Sequence, residues 1–130
     1  MARLFLHIGS HKTGTTSLQH ALATRLPKSG SFRFLDLRQP GTKLVRTSGK
    51  GSTFRTTLNL EKCDRVFKET LSDRSDPSTD WVCSDEDFFW LSSPDDALGL
   101  ADVLRRYFSE VHIICYLRRQ DQLALAHRKQ

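Results

Sequence analysis

The chain has 130 residues, enough for one domain with a single core that buries roughly two-thirds of its unfolded surface. Its 20 Lys and Arg against 15 Asp and Glu give a formal charge of +5, which suits an anionic ligand. The basic residues between Lys28 and Lys62 are dispersed without regular aromatic interleaving, and no apolar run approaches membrane-spanning length, so neither a specific nucleic-acid surface nor a membrane segment is expected.

In chain order, Leu4 to Ile8 is a short apolar run that predicts a strand over 3–8, ended by Gly9. Leu18, Leu22 and Leu26 recur at helical spacing and predict a helix over 15–26. A strand over 33–37 follows. The stretch from Gln39 to Thr57, rich in Gly, Ser, Thr, Lys and Arg, has no apolar period and is expected to be a mobile loop. A helix is predicted over 59–72 and a buried strand over 80–84, with Asp85, Glu86 and Asp87 directly after it. Phe88, Phe89 and Trp90 are expected in the core or in a cleft wall.

Ser93 followed by Pro94, Asp95 and Asp96 marks a helix start, and the helix over 94–107 takes its apolar side from Leu98, Val103 and Leu104, with Tyr107 and Phe108. Val111 to Leu117 is a near-continuous apolar run and predicts a strand buried on both faces, followed by a helix from about residue 120. Alternating strands and helices imply a parallel α/β sheet with crossover helices. Cys63, Cys83 and Cys115 are odd in number and contain no C-x-x-C pair, which speaks against a disulfide framework or a thiolate zinc site. Cys83 and Cys115 lie in strand-like runs, where a reduced, buried thiol is expected. The N-terminal apolar run is too short for a signal sequence, and the expected setting is the cytoplasm.

The chemistry concentrates between the first strand and the first helix. Gly9, Ser10, His11, Lys12, Thr13 and Gly14 form a glycine-bounded loop that opens into Thr15, Thr16 and Ser17. Unpaired amides at a helix N-terminus, the positive end of the helix dipole, three hydroxyls and one lysine together favour a phosphate-like group. The nucleotide-binding pattern G-x-x-x-x-G-K-[ST] is met at Gly9, Gly14 and Thr16, but Thr15 stands in the lysine position and the lysine lies inside the loop at Lys12. That displacement speaks against nucleotide hydrolysis, which needs lysine on the β- and γ-phosphates.

The run His-Ile-Gly-Ser-His-Lys-Thr-Gly-Thr-Thr-Ser-Leu-Gln resembles the 5′-phosphosulfate loop of the sulfotransferases that use 3′-phosphoadenosine 5′-phosphosulfate, PAPS. The resemblance implies a P-loop-like parallel sheet with flanking helices, and PAPS bound without metal by Gly9 to Ser17. It also implies a 3′-phosphate site at the end of the strand over 111–117, where Arg118 matches the family's arginine. The family's serine eight residues later is replaced here by Ala126. Glu86 falls in the register of a family Ser-Glu element and is the candidate general base, with Lys12 the second catalytic candidate. Such proteins are about twice as long, so the chain is expected to be an N-terminal portion, truncated at its C-terminus, that binds PAPS or its product PAP together with an acceptor alcohol or amine. A catalytically inactive PAP- or anion-binding module is the first alternative and a P-loop kinase or NTPase the second, kept open by Asp85.

Overall fold

A computed structural model of the chain describes residues 1–9, 14–72 and 76–117, together with Gln122, Leu125 and Arg128. Four strands form one parallel sheet in the order β2-β5-β1-β6, where β1 is Arg3–His7, β2 Phe32–Asp36, β5 Asp80–Ser84 and β6 Glu110–Ile114. The intervening helices are α1 (Thr15–Ser29), α2 (Leu60–Ser72) and α3 (Pro94–Tyr107). Parallel strands need such crossovers, which is why helix and strand alternate along the chain. The fold is therefore α/β, a parallel sheet with flanking helices.

Strand alternation divides the sheet into two unlike faces. Leu4 pairs with Trp81 and Leu6 with Cys83, and these residues join Cys63, Val66 and Phe67 of α2 and Leu100, Val103 and Leu104 of α3 in the apolar core. Phe5 pairs with Val82 and His7 with Ser84 on the opposite face, toward α1, where Gln19 reaches Ser84. Helix α3 begins as expected, with Ser93 Oγ accepting from the Asp96 amide at 3.4 Å and Pro94 in the first turn. Leu98 is 64 % exposed rather than part of the apolar side, because it points away from the stripe defined by Leu100, Val103 and Leu104.

The segment from Gln39 to Thr57 is not a structureless loop. It contains an antiparallel hairpin, β3 (Val45–Ser48) with β4 (Arg55–Leu58), turned through a 3₁₀ segment at Gly51–Thr53. Leu44 and Val45 are buried in the core, Thr56 Oγ1 donates to the Trp90 carbonyl at 2.9 Å, and Phe54 meets Trp90 edge-on. Its fully buried apolar residues, Leu44 and Val45, lie at one end, too few for a period to show in the sequence.

The strand expected over 111–117 is shorter and lies at the sheet edge rather than in its middle. β6 ends at Ile114, pairs among the described residues with β1 alone, and leaves Ile113 57 % exposed. On its core side it borders a cavity of about 570 Å³ between β6 and α3, lined by Leu6, Ile8, Leu100 and Ile113 among others. Cys115, past the strand end, is exposed, whereas Cys63 and Cys83 are buried. The helix expected from about residue 120 falls largely outside the described residues. Among the described residues, no helix is long and apolar enough to cross a membrane.

Candidate functional site

The C-terminal ends of β1, β5 and β2 meet at one edge of the sheet, where open α/β proteins place their ligands. Gly9 leaves β1 with φ +106° and is buried, and a Cβ built there would lie 3.3 Å from the Cα, Cβ and carbonyl oxygen of Glu86. Glycine is needed for both reasons, the positive φ and the close backbone. Gly14, at φ 79°, is the N-cap of α1, and its carbonyl accepts from the Leu18 amide at 3.1 Å. The first turn of α1 holds no acidic residue, so the positive end of the helix is not neutralised from within. Thr15, Thr16 and Ser17 form that first turn, with Thr16 and Ser17 exposed. Ser10, His11, Lys12 and Thr13 lie outside the described residues, as do Arg118 and Ala126.

Glu86 is half-buried and opens the 3₁₀ turn Glu86–Trp90. Its neighbour Asp85 caps that turn, with Oδ1 accepting from the Asp87 amide at 3.0 Å. The Asp85 side chain is fully buried, and Lys43 Nζ lies 3.3 Å from its Oδ2 while also donating to Asp87. Burial pushes the Asp85 carboxyl up to about 6, outweighing its hydrogen bond from the Asp87 amide and the attraction of Lys43. Lys43 responds in the same direction. Burial pulls its ammonium down, but the hydrogen bond to Asp87 and the charge of Asp85 more than offset this and hold it above its ordinary value. Only Asp85 departs from the pattern of a simple exposed ion pair, because it is far more enclosed than Lys43.

Two backbone hydrogen bonds tie this edge together. The Asp85 amide donates to the His7 carbonyl at 3.1 Å, and the Tyr116 amide donates to the Gly9 carbonyl at 2.7 Å. The start of the glycine loop is thus joined directly to the segment that leads two residues later to Arg118.

At the ends of β1 and β5 lies a polar network that the sequence reading did not single out. His7 Nδ1 is 2.9 Å from Ser84 Oγ, Gln19 Nε2 donates to the same oxygen at 3.0 Å, and Arg38 Nη1 donates to Gln19 Oε1 at 2.8 Å. Arg38 also grips Asp36, with Nε to Oδ1 at 2.8 Å and Nη2 to Oδ2 at 2.7 Å. That fork holds the Asp36 carboxyl below its usual range and the Arg38 guanidinium above its own. Burial lowers His7, opposed only in part by the charge of Glu86. His7 and Ser84 end adjacent strands in register, so two polar residues at matching strand ends were the signal available in the sequence. Gln19 and Arg38 carried none.

Among the described residues, no group of three His, Cys, Asp or Glu side chains is placed to hold a metal ion. Compared with protein-family models, with curated proteins and with solved structures, the chain finds no match in any of the three.

Proposed function

We propose that the chain is a PAPS-dependent sulfotransferase or the cofactor-binding part of one. The observation that carries this reading is the junction of β1 and α1. Two glycines in the left-handed region bracket the motif loop at the ligand-binding edge of a parallel sheet, and a carboxylate residue, Glu86, is packed against the first of them. The residues present fit an anionic donor, since the described end of the loop is a helix N-terminus with no acidic residue in its first turn and with exposed hydroxyl residues.

PAPS supplies the sulfuryl group. In this reading the amides of Gly9 to Thr16 hold its 5′-phosphosulfate, and Lys12 neutralises the bridging oxygen as the bond from that oxygen to sulfur breaks. Glu86 accepts the proton of the attacking hydroxyl or amine as the new bond to sulfur forms, a role worth typically ~10²–10⁴-fold. Arg118 pairs with the 3′-phosphate. The kinase or NTPase alternative would need Asp85 as a metal-binding acid, and that carboxylate is buried against Lys43 and caps its own turn.

Calorimetric titration tests the reading. PAP should bind in the presence of EDTA as well as without it, since every contact named is an amide, a hydroxyl or a cation. Binding that EDTA abolishes, or a preference for ATP with Mg²⁺, would overturn it.

A further inference from the structure

His7 ends β1 and is only 2 % exposed, and among the described residues its Nε2 has no hydrogen-bond partner. Buried polar groups nearly always have one, so the orphan calls for an explanation. The network on the other ring nitrogen decides which kind of orphan it is. Arg38 donates to Gln19 Oε1, which fixes the amide so that its nitrogen faces Ser84. Ser84 Oγ therefore already accepts one hydrogen bond, and among the described residues the remaining partner in reach of its own proton is His7 Nδ1. If the serine donates to Nδ1, one group remains unsatisfied, an Nε2–H donor. The opposite tautomer would strand both the serine proton and the Nε2 lone pair, and two buried orphans are worse than one. The network thus assigns the Nε2–H tautomer.

The ring itself lies close to the start of the glycine loop. His7 precedes Gly9 by two residues, and among the described residues the charged side chain that acts on the ring is Glu86, the residue packed against Gly9. Through Ser84 the ring is linked to Gln19 on α1, the helix whose N-terminus closes the glycine loop. A donor shut away from water is a cost to the free chain that an oxyanion at the junction would remove.

We infer that His7 is a ligand-binding residue, presenting Nε2–H to a 5′-phosphate oxygen of the bound nucleotide while Ser84, Gln19 and Arg38 hold it in that tautomer. This rests on the sulfotransferase reading and extends it to a contact that the motif loop does not supply.

The test compares wild type, His7→Asn and His7→Gln in calorimetric titrations with PAP and with adenosine 3′-monophosphate, which lacks the 5′-phosphate. Asparagine ends near the Nδ1 position, keeping the Ser84 contact without the donor, whereas the glutamine amide extends to the Nε2 position. His7→Asn should weaken PAP roughly 10- to 100-fold and leave the 3′-monophosphate unchanged, and His7→Gln should recover most of the loss. Unchanged PAP affinity in His7→Asn, or equal weakening of both nucleotides, would overturn the assignment. Wild type that binds neither nucleotide would overturn the sulfotransferase reading itself, a result distinct from both. Imidazole ¹⁵N spectra of the wild-type chain give a readout that needs no variant. The free chain should show a neutral Nε2-protonated ring whose Nε2–H signal shifts on adding PAP, and an Nδ1-protonated ring, or a signal PAP does not move, would overturn the inference.

Discussion

Gly9 and Glu86 are packed so closely that the space a Cβ would take on Gly9 lies 3.3 Å from the Glu86 Cα, Cβ and carbonyl oxygen. The first residue of the motif loop and the candidate base are thereby one mechanical unit, although 77 positions separate them in the chain. The 3₁₀ turn that carries Glu86 is capped by Asp85, whose own amide is bonded to the His7 carbonyl, so strand β1 positions both sides of the contact.

Gly9→Ala should accordingly lower stability by about 1–3 kcal/mol, since alanine meets both a positive φ and the Glu86 backbone. Urea denaturation measures this directly. An unchanged midpoint would mean that the two backbones are not held together.

The three thiols should separate cleanly. Burial pushes Cys63 up to about 12 and raises Cys83 as well, so neither offers a thiolate or an approach path, whereas Cys115 is exposed. A thiol reagent applied to the folded chain should label one cysteine, and Cys115→Ser should abolish that labelling. The other two should react only on unfolding. Labelling of Cys63 or Cys83 under native conditions would contradict the core packing described here.

Cys115 also shows where sequence reading reaches its limit. The run Val111 to Leu117 has the composition of a central strand, yet sheet order puts β6 at an edge, and order is a property of long-range pairing that composition does not encode. Helices α2 and α3 and strands β1 and β5 were legible because each carries an apolar pattern or a cap of its own, such as Ser93 with Pro94. The hairpin β3–β4 was not, since its burial rests on Leu44 and Val45 at one end and on the contact of Phe54 with Trp90. At the junction of β1 and α1, the turns at Gly9 and Gly14 were legible from motif spacing. The bonds joining His7, Ser84, Gln19 and Arg38 exist only once β1, β5, α1 and the turn after β2 converge.

Asp85 gives the fold a definite pH signature. Its carboxyl sits at about 6 against an ordinary 3.8, so between those values the folded chain holds the proton more tightly than the unfolded chain. Stability from this group is therefore complete below the ordinary value and is lost as pH rises through about 6, a displacement worth about 3 kcal/mol. Asp85→Asn keeps an oxygen for the Asp87 amide and removes the titration. The stability of wild type minus that of Asp85→Asn should fall as pH is raised from 4 to 7. Asp36 and Asp80, held low by hydrogen bonds from Arg38 and Arg3, slope the other way in both proteins and cancel from the difference. A difference that does not vary with pH would show that Asp85 does not titrate in this interval.

Lys12 and Arg118 should be distinguishable by the end of the nucleotide that each serves. Lys12→Ala should weaken PAPS more than PAP, because its proposed partner is the oxygen that bridges to sulfur. Arg118→Ala should weaken both roughly 10- to 100-fold and spare adenosine 5′-phosphosulfate, which has no 3′-phosphate. Equal losses with and without the 3′-phosphate would make Arg118 a contributor to the general basic field only.

Glu86→Gln is the sharpest probe of the chemistry, because it removes the proton acceptor while leaving side-chain size and the backbone contact with Gly9 nearly as they are. If Glu86 is the base, sulfuryl transfer from PAPS to the acceptor should fall by about 10²–10⁴-fold while PAP affinity holds steady or rises, since a negative charge beside the anion site has been removed. The same substitution withdraws the charge that opposes the burial of His7, so the imidazole should become still harder to protonate. Folding is checked by the urea midpoint, which should stay near that of wild type. Transfer at the wild-type rate in Glu86→Gln would remove Glu86 from the mechanism, whereas a lost PAP affinity would make it part of the nucleotide cradle instead.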